Sequence, residues 1–173
     1  ETIKKISTSS ASNVTIYPTV RSSSLEISSS SAGGVKILSA EVEALDIAAS
    51  SAANISGTYT VKGACEIDAS SAARIDIELS AKEVECDASS SAKITLTGSA
   101  EQLEADASSA GNIVANKFRA TVADAEASSG ADISVNATKR LSAQASSGAD
   151  IRYTGSATDI RRSTSSGGSV KMM

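Results

Sequence analysis

Ten acidic side chains recur at fixed positions relative to nine Ser-Ser pairs, and their carboxylates are the groups in this chain best placed to do chemistry. One column of acids stands four residues before the first serine of a pair, and a second column stands two residues before it. The first column holds Glu26, Asp46, Glu66, Glu85, Glu104 and Asp124, and the second holds Asp68, Asp87, Asp106 and Glu126. A spacing of two places both columns on the same outward side of a β-strand. We call these ten residues the acidic face.

Three interpretations of the acidic face are open. Its carboxylates could form a row of oxygen sites for calcium or another hard cation, a surface for a basic partner, or a solvated flank that keeps the protein soluble. Calcium prefers six to eight oxygens gathered by loops, and flat strands gather carboxylates poorly. The calcium-binding repeat G-G-x-G-x-D is echoed only weakly by "SSGAD" at residues 128–132.

The composition excludes several classes of function. The chain has no histidine, which removes Ser-His-Asp and Cys-His catalysis and His-ligated zinc. A net charge of −4 disfavours a nucleic-acid partner, and no apolar run reaches the roughly 20 residues of a membrane span.

Carboxylate pairs such as Glu85 and Asp87 have a spacing that glycoside hydrolysis can use. Sugar clefts also need stacking aromatics, and this chain has three Tyr, one Phe and no Trp.

The elements that must position the acids follow from the repeat itself. The first serines of the nine pairs are 18 to 21 residues apart: Ser9, Ser30, Ser50, Ser70, Ser89, Ser108, Ser128, Ser146 and Ser165. Five residues after each one stands a β-branched aliphatic residue: Val14, Val35, Ile55, Ile75, Ile94, Ile113, Ile133, Ile151 and Val170. A period of two inside a period near twenty predicts the coils of a β-helix.

Two further apolar columns precede the serines and complete the predicted core. Three residues before them stand Ile6, Ile27, Ile47, Ile67, Cys86, Ala105, Ala125 and Ala143. Five residues before them stand Leu25, Leu45, Cys65, Val84, Leu103, Ala123, Leu141 and Ile160. Nine coils stacked about 4.8 Å apart predict a rod on the order of 40 Å long.

The serines themselves are predicted to be corners rather than nucleophiles. Stacked copies of a tight turn accept only small side chains, and their hydroxyls could hydrogen-bond one another and the turn backbone. Each coil is then predicted to contain a strand, a corner, a second strand and a third side without regular structure, such as "TGSAEQ" at residues 97–102. The stretch "PTVRSSS" at residues 18–24 predicts an irregular first coil.

The ends of the array carry charge where the core stops. Lys4 and Arg162 occupy columns that are apolar elsewhere, which predicts caps over the open β edges. Basic residues gather toward the C-terminus: Lys139, Arg140, Arg152, Arg161, Arg162 and Lys171. This polarity indicates solubilising caps, head-to-tail association or contact with an anionic surface polymer.

The two cysteines are predicted to be buried free thiols. Cys65 and Cys86 fall in neighbouring coils but in different inward columns, which puts their Cα atoms about 8 Å apart, beyond disulfide reach.

The turns "SSGADI" and "SSAGNI", the "GSA" segments at residues 98–100 and 155–157, and the closing "SSGGSVKMM" resemble a known bacterial family. The chain is similar to the putative auto-transporter adhesin, head GIN domain family, whose hallmark is a repeated S-G-S-G-D-[VI] turn. Here serine or alanine replaces the first glycine of that turn, and its Asp survives as Asp132 and Asp150. The resemblance implies a right-handed β-helix, export from a Gram-negative cell behind a removed leader, and no established enzymatic activity.

These observations predict one all-β domain over residues 1–173, a single-stranded right-handed parallel β-helix. We expect an exported, non-catalytic module in the periplasm, on the outer-membrane surface or outside the cell. It would bind an unknown surface polymer or protein, with no cofactor apart from calcium as an open alternative. A self-assembling scaffold joined through the coil ends is the second alternative, and a polysaccharide-degrading enzyme the third.

Overall fold

Thirteen strands wind into a solenoid in the computed structural model, which describes residues 2–173. The predicted domain also includes Glu1, which lies outside the described residues. The first seven strands are β1 Lys5–Thr8, β2 Asn13–Ile16, β3 Val20–Ser29, β4 Gly34–Ala49, β5 Asn54–Val61, β6 Ala64–Ala69 and β7 Arg74–Ala88. The remaining six are β8 Lys93–Ala107, β9 Asn112–Ala127, β10 Asp132–Ala145, β11 Asp150–Thr154, β12 Asp159–Thr164 and β13 Ser169–Met172.

Every strand pairs in parallel with its counterpart in the adjacent coil. The main path of the sheet runs β1-β3-β4-β5-β7-β8-β9-β10-β11-β13, with β2, β6 and β12 pairing beside it. On one side of the coils, β6 lies between β4 and β7 and aligns Leu45, Cys65 and Val84. Because each residue faces its equivalent in the next coil, the result is the parallel β-solenoid of about nine turns that the repeat predicts.

The core follows the predicted alternation. In β6, Cys65, Ile67 and Ala69 are buried, whereas Glu66 and Asp68 point to solvent. Toward the C-terminus the inward columns become alanine, as at Ala105 and Ala125. The single phenylalanine, Phe118, is fully buried in this stretch. Its large side chain supplies volume that alanines leave unfilled, which a close-packed interior requires.

Each Ser-Ser corner is a tight turn with the features of type I′. In the fourth corner, Ser71 and Ala72 have φ values of 51° and 61°, and the Ala73 N–H donates to the Ser70 carbonyl at 3.1 Å. All nine corners repeat this bond from the fourth residue to the first. Two successive positive φ values define the type I′ turn and strain any residue with a Cβ. The second and third corner residues are exposed, so lack of space does not select the serines and alanines found there.

The predicted ladder of serine hydroxyls is wrong, because backbone groups connect the corners instead. The third residue of a corner donates its N–H to the second serine's carbonyl in the next coil, as Ala52 does to Ser71 at 3.0 Å. Eight such bonds of 2.9–3.1 Å run along the array. Within residues 2–173, a corner hydroxyl bonds its own turn only at Ser12, which donates to the Ser9 carbonyl. The serine side chains are thus left free on the surface.

Two segments predicted to be loose are strands. Residues 97–102 lie inside β8, since Ser99 pairs with Ser80 on one side and Arg119 on the other. Of the stretch at residues 18–24 that was predicted to be irregular, only residues 18 and 19 lie outside strands, because β3 begins at Val20 and pairs with β4. Backbone pairing with both neighbouring coils overrides the turn-forming composition of these segments.

The ends of the solenoid differ from its middle. Lys4 and Arg162 are exposed, in agreement with the predicted caps. Ile160, predicted for an inward column, is 39% exposed because its strand β12 pairs only with β10 and lacks a coil on the other side. No helix among residues 2–173 is long and apolar enough to cross a membrane.

Both cysteines are buried free thiols, as predicted. Burial, with a smaller contribution from Asp46, raises the pKa of Cys65 to about 12. Burial also raises the pKa of Cys86 well above its usual value. Neither side chain supplies a thiolate at neutral pH, so both act as small apolar core residues.

Exchanging alanine and glycine at the third corner residue tests the cost of the positive φ. Ala72→Gly is expected to raise the free energy of unfolding and Gly130→Ala to lower it, each by about 1 kcal/mol. Gly130 has φ of 70° and open space where a Cβ would stand, so its substitution reports backbone strain without a clash. Urea unfolding measures both changes, and equal stability of all three proteins would contradict the strain.

Tyr59 buries a hydroxyl that has no hydrogen-bond partner in the described chain. Since a buried unsatisfied hydroxyl costs roughly 1–3 kcal/mol, Tyr59→Phe is expected to stabilise the protein by about 1 kcal/mol in urea unfolding. Tyr153→Phe is the control, because the Arg162 guanidinium donates to the Tyr153 hydroxyl at 3.5 Å. Loss of stability in Tyr59→Phe would mean that the hydroxyl has a partner in solution.

Candidate functional site

The acidic face forms as predicted, as two adjacent columns on one outward side of the solenoid. Consecutive members of the first column are partners in neighbouring strands, as Glu66 is with Asp46 and Glu85. The second column runs in the same register, with Asp87 between Asp68 and Asp106. The strand-to-strand spacing of about 4.8 Å therefore separates each carboxylate from the next.

A polar side chain contacts the acid at one end of each column. At the N-terminal end, the Lys5 ammonium lies 2.6 Å from the Glu26 carboxylate. At the other end, the Gln144 amide donates to the Glu126 carboxylate at 2.8 Å. Between these ends, no member of the acidic face forms a salt bridge within residues 2–173. The central carboxylates thus face one another across the coils without cations between them.

This arrangement raises the pKa of several carboxyls. Burial against the sheet, followed by the charge of Asp87, raises the pKa of Asp106 to about 6. Asp46 and then Asp68 raise the pKa of Glu66 through charge repulsion. Burial followed by Asp87 raises the pKa of Asp68. Burial is therefore the larger cause for the two aspartates of the second column, and charge repulsion is the larger cause for Glu66 in the first column.

A groove of about 760 Å³ runs along the first acidic column. Its acidic wall is formed by Glu26, Asp46, Glu66, Glu85, Glu104 and Asp124. The opposite wall is the column two residues earlier, which holds Ser24, Ala44, Ala64, Glu83, Gln102 and Val122. A second groove of about 330 Å³ follows the later members of the second column, Asp87, Asp106 and Glu126.

Nothing in the sequence predicts the opposite wall of the long groove. Its residues share a fixed distance to the serines, but their types vary from alanine to glutamate, so no chemical signal marks the column. The wall is recognisable only because its mostly short side chains stand beside longer acids. Small neighbours leave the carboxylates accessible from the side.

The acidic side chains are not clustered as metal ligands are. No group of three or more Asp, Glu, Cys or His side chains within residues 2–173 is gathered closely enough to hold a metal ion. The columns are linear, and each carboxylate has its nearest equivalents one coil away. What the face offers to a ligand is a line of negative charge along a groove.

Residues 56–157 match the family described as putative auto-transporter adhesin, head GIN domain. These residues are more than half of the chain and cover the central coils with most of the acidic face.

The chain belongs to this family.

The resemblance to this family that the turn sequences indicate is therefore confirmed. No curated protein matches the sequence.

Two solved structures share the solenoid of this GIN-domain chain. One is a putative lipid binding protein from Parabacteroides distasonis, with a TM-score of 0.69 and 21% identity over 87% of this chain. The chain spans 62% of that protein's length. The other is a putative adhesin from Bacteroides fragilis, with a TM-score of 0.65 and 17% identity over the whole chain and 93% of that protein. At these identities the likeness establishes the fold.

The raised pKa of Asp106 predicts that this GIN-domain protein becomes more stable as the pH falls from 7 toward 4. The folded protein holds a proton on Asp106 up to about pH 6, whereas the unfolded chain loses it near pH 3.9. Between these values the folded state binds more protons, so the free energy of unfolding decreases as pH rises. Solvent screens this half-exposed group, so we expect a change of about 1 kcal/mol.

Asp106→Asn should add about 1 kcal/mol of stability at pH 7.5 and little at pH 4. Asp76→Asn is the matched control, because Asp76 lies between Ser56 and Thr95 and away from the acidic face. Urea unfolding at both pH values measures the difference. A destabilised Asp106→Asn at pH 7.5 would show that the ionised carboxylate has a favourable partner.

Proposed function

We propose that this chain is an exported, non-catalytic binding module that acts as one β-helix domain over residues 1–173. Its acidic face, with the long groove, is the contact surface. The observation that carries the proposal is the unbroken register of carboxylates along a groove that spans six coils. A row of like charges costs stability, at about 0.9 kcal/mol per neighbouring pair before screening. A partner that neutralises these charges removes that cost.

The shape of the groove favours an extended partner. Six coils correspond to roughly 29 Å along the axis, which suits a segment of a polymer or an extended peptide. Lys4 and Lys5 line the N-terminal end of the groove, but the acids from Asp46 to Asp124 have no cation beside them in the described chain. This negative stretch favours ammonium or guanidinium groups repeated on the partner, or a bridging cation such as calcium. No aromatic side chain lines the groove in the described chain, so stacking on sugar rings contributes nothing there.

Repetition argues against catalysis on this face. An active site singles out one acid-base pair whose two groups are tuned to different pKa values. The pairs Glu66 with Asp68, Glu85 with Asp87 and Glu104 with Asp106 repeat the same geometry in three successive coils. Serine and cysteine nucleophiles have no histidine to activate them, and both thiols are buried.

The family supports a location outside the cytoplasm. The descriptions of the family and of the Bacteroides fragilis structure both name an adhesin, and adhesins act at the cell surface. We propose that the chain is exported to the periplasm, the outer-membrane surface or the exterior of a Gram-negative cell. Its partner there is a surface polymer or protein.

End-to-end assembly into a scaffold is the weaker alternative. The first and last coils of the described residues both carry cations. Lys4 and Lys5 stand at one end, and Arg161, Arg162 and Lys171 at the other. Stacking copies head to tail brings these like charges together, which disfavours the contact.

A labelled octalysine peptide and CaCl2 test the acidic face. We expect octalysine to bind with an affinity that falls as NaCl rises, in fluorescence anisotropy. The variant E66Q/E85Q/E104Q should bind at least tenfold more weakly, because it removes three central charges of the groove wall. If calcium bridges the face, an excess of CaCl2 raises the melting temperature by several degrees, and a chelator reverses the shift.

The control variant D76N/E78Q/E101Q changes the net charge equally away from the acidic face. It should retain octalysine affinity within about twofold. Equal losses in both variants would show a response to net charge alone and would contradict a specific face. An absence of both octalysine binding and a calcium shift would leave the face as solvated surface.

A further inference from the structure

The two walls of the long groove differ in chemistry. Beyond the lysines at its N-terminal end, the acidic wall holds Asp46, Glu66, Glu85, Glu104 and Asp124. The opposite wall carries short apolar side chains in three coils, at Ala44, Ala64 and Val122. The column between the walls is buried, as Cys65 and Leu103 are. A ligand in this groove therefore meets carboxylates on one side and aliphatic surface on the other.

The coil repeat sets the spacing of the carboxylates. Glu66, Glu85 and Glu104 are register partners in three successive coils. Their backbones therefore lie about 4.8 Å apart along the axis. The row from Asp46 to Asp124 covers four such intervals, or roughly 19 Å. A ligand that pairs with every acid in the row must carry its positive charges at the same interval.

A single metal ion matches this wall poorly. Within residues 2–173, three or more ligating side chains nowhere converge on one point. Calcium takes six to eight oxygens at about 2.3–2.6 Å, and carboxylates that lie one coil apart in a straight row do not surround an ion in this way. A ligand with several linked charges instead gains one ion pair from each acid in turn.

An extended basic peptide also matches the wall less well. The backbone N–H and C=O groups of the strands bond between coils, so a peptide that lies along the axis finds no backbone partners in the groove. Lysines on one side of an extended peptide are about 6.7 Å apart, which is two residues of strand rise. That interval is about 2 Å longer than the coil repeat, so successive ammonium groups fall out of step with the acids.

We propose that the long groove binds a linear polyamine whose nitrogens are separated by three carbons. In an extended chain, four N–C and C–C bonds of about 1.5 Å place neighbouring ammonium groups about 5 Å apart. This interval matches the coil repeat, and the methylene groups need no hydrogen bonds where they lie against Ala44 and Ala64. The inference rests on the proposed function, because it names the ligand class of the same acidic face.

Glu83 adds a second carboxylate across the groove. It is the register partner of Ala64 and of Gln102 on the opposite wall, and it lies in the same coil as Glu85. Glu83 makes no salt bridge within the part of the chain that the structure describes. An ammonium group between Glu83 and Glu85 can donate charge-assisted hydrogen bonds to both walls.

Isothermal titration calorimetry with two matched polyamines tests the spacing. Norspermidine has two three-carbon spacers and homospermidine has two four-carbon spacers, and both carry three amines. Each four-carbon spacer lengthens the interval to about 6.2 Å, which moves the third ammonium group more than about 2 Å past its acid. At pH 7 and 50 mM NaCl we expect norspermidine to bind at least about threefold more tightly than homospermidine.

Two variants separate groove binding from attraction to charge. E66Q/E85Q/E104Q should bind norspermidine at least about tenfold more weakly, because it removes three successive partners. A44L/A64L keeps the charge and fills the groove beside the acids, so we expect a loss of roughly fivefold. Its matched control is S80L/S99L, which adds two leucines to exposed partner positions in neighbouring strands outside the groove. This control should retain affinity within about twofold.

Circular dichroism and melting temperature check that every variant folds. Equal affinity for norspermidine and homospermidine, or an unchanged affinity in A44L/A64L, would overturn the polyamine inference. Tighter binding of CaCl2 than of norspermidine would overturn it as well. If octalysine still binds in these cases, the acidic face remains the contact surface and only the ligand class is wrong. If neither octalysine, calcium nor norspermidine binds, the proposed function itself fails.

Discussion

The parallel hydrogen-bonded register between coils is the constraint on which the rest of this structure depends. It fixes each residue beside its equivalent about 19 residues away, as Ile47, Ile67 and Cys86 are aligned in one column. The corners preserve this register, because each turn closes on itself and also bonds the next coil through its backbone. The positive φ values at these corners are a local cost that the continuous ladder of strand hydrogen bonds offsets.

Because equivalent residues of successive coils stack on one another, the repeat has opposite consequences inside and outside the solenoid. Inside, a column of aliphatic side chains packs into a continuous core, and this gain is the main favourable term. Outside, the same register brings acids together, and burial followed by the charge of Asp87 raises the pKa of Asp106 to about 6. The acidic face therefore stores unfavourable charge that a cationic partner would relieve. Residues 139–173 carry the opposite sign, with six basic and two acidic residues, so the charge of the solenoid is divided along its axis.

Particular residues show where sequence reasoning succeeded and where it did not. The columns of Val84, Cys86 and Ala88 were predictable, because burial on one side of a strand imposes a strict period of two. The third side at residues 97–102 was wrongly predicted as loose, because glycine and serine are read as turn formers when no partner strand is considered. The unsatisfied hydroxyl of Tyr59 and the groove wall at Ala64 carry no sequence signal, since both depend on which side chains surround them.

By itself the sequence determined the repeat, the inward columns, the outward acids and the family, because all of these are properties of spacing along the chain. It determined also that the thiols are buried and that the charge is divided between the two ends. Only the tertiary structure decided that the corners are joined by backbone rather than by hydroxyls and that the acids border a groove. It also decided that residues 97–102 form part of a strand. The physical reason is that these features arise between coils, where distance and burial depend on neighbours that the order of residues does not specify.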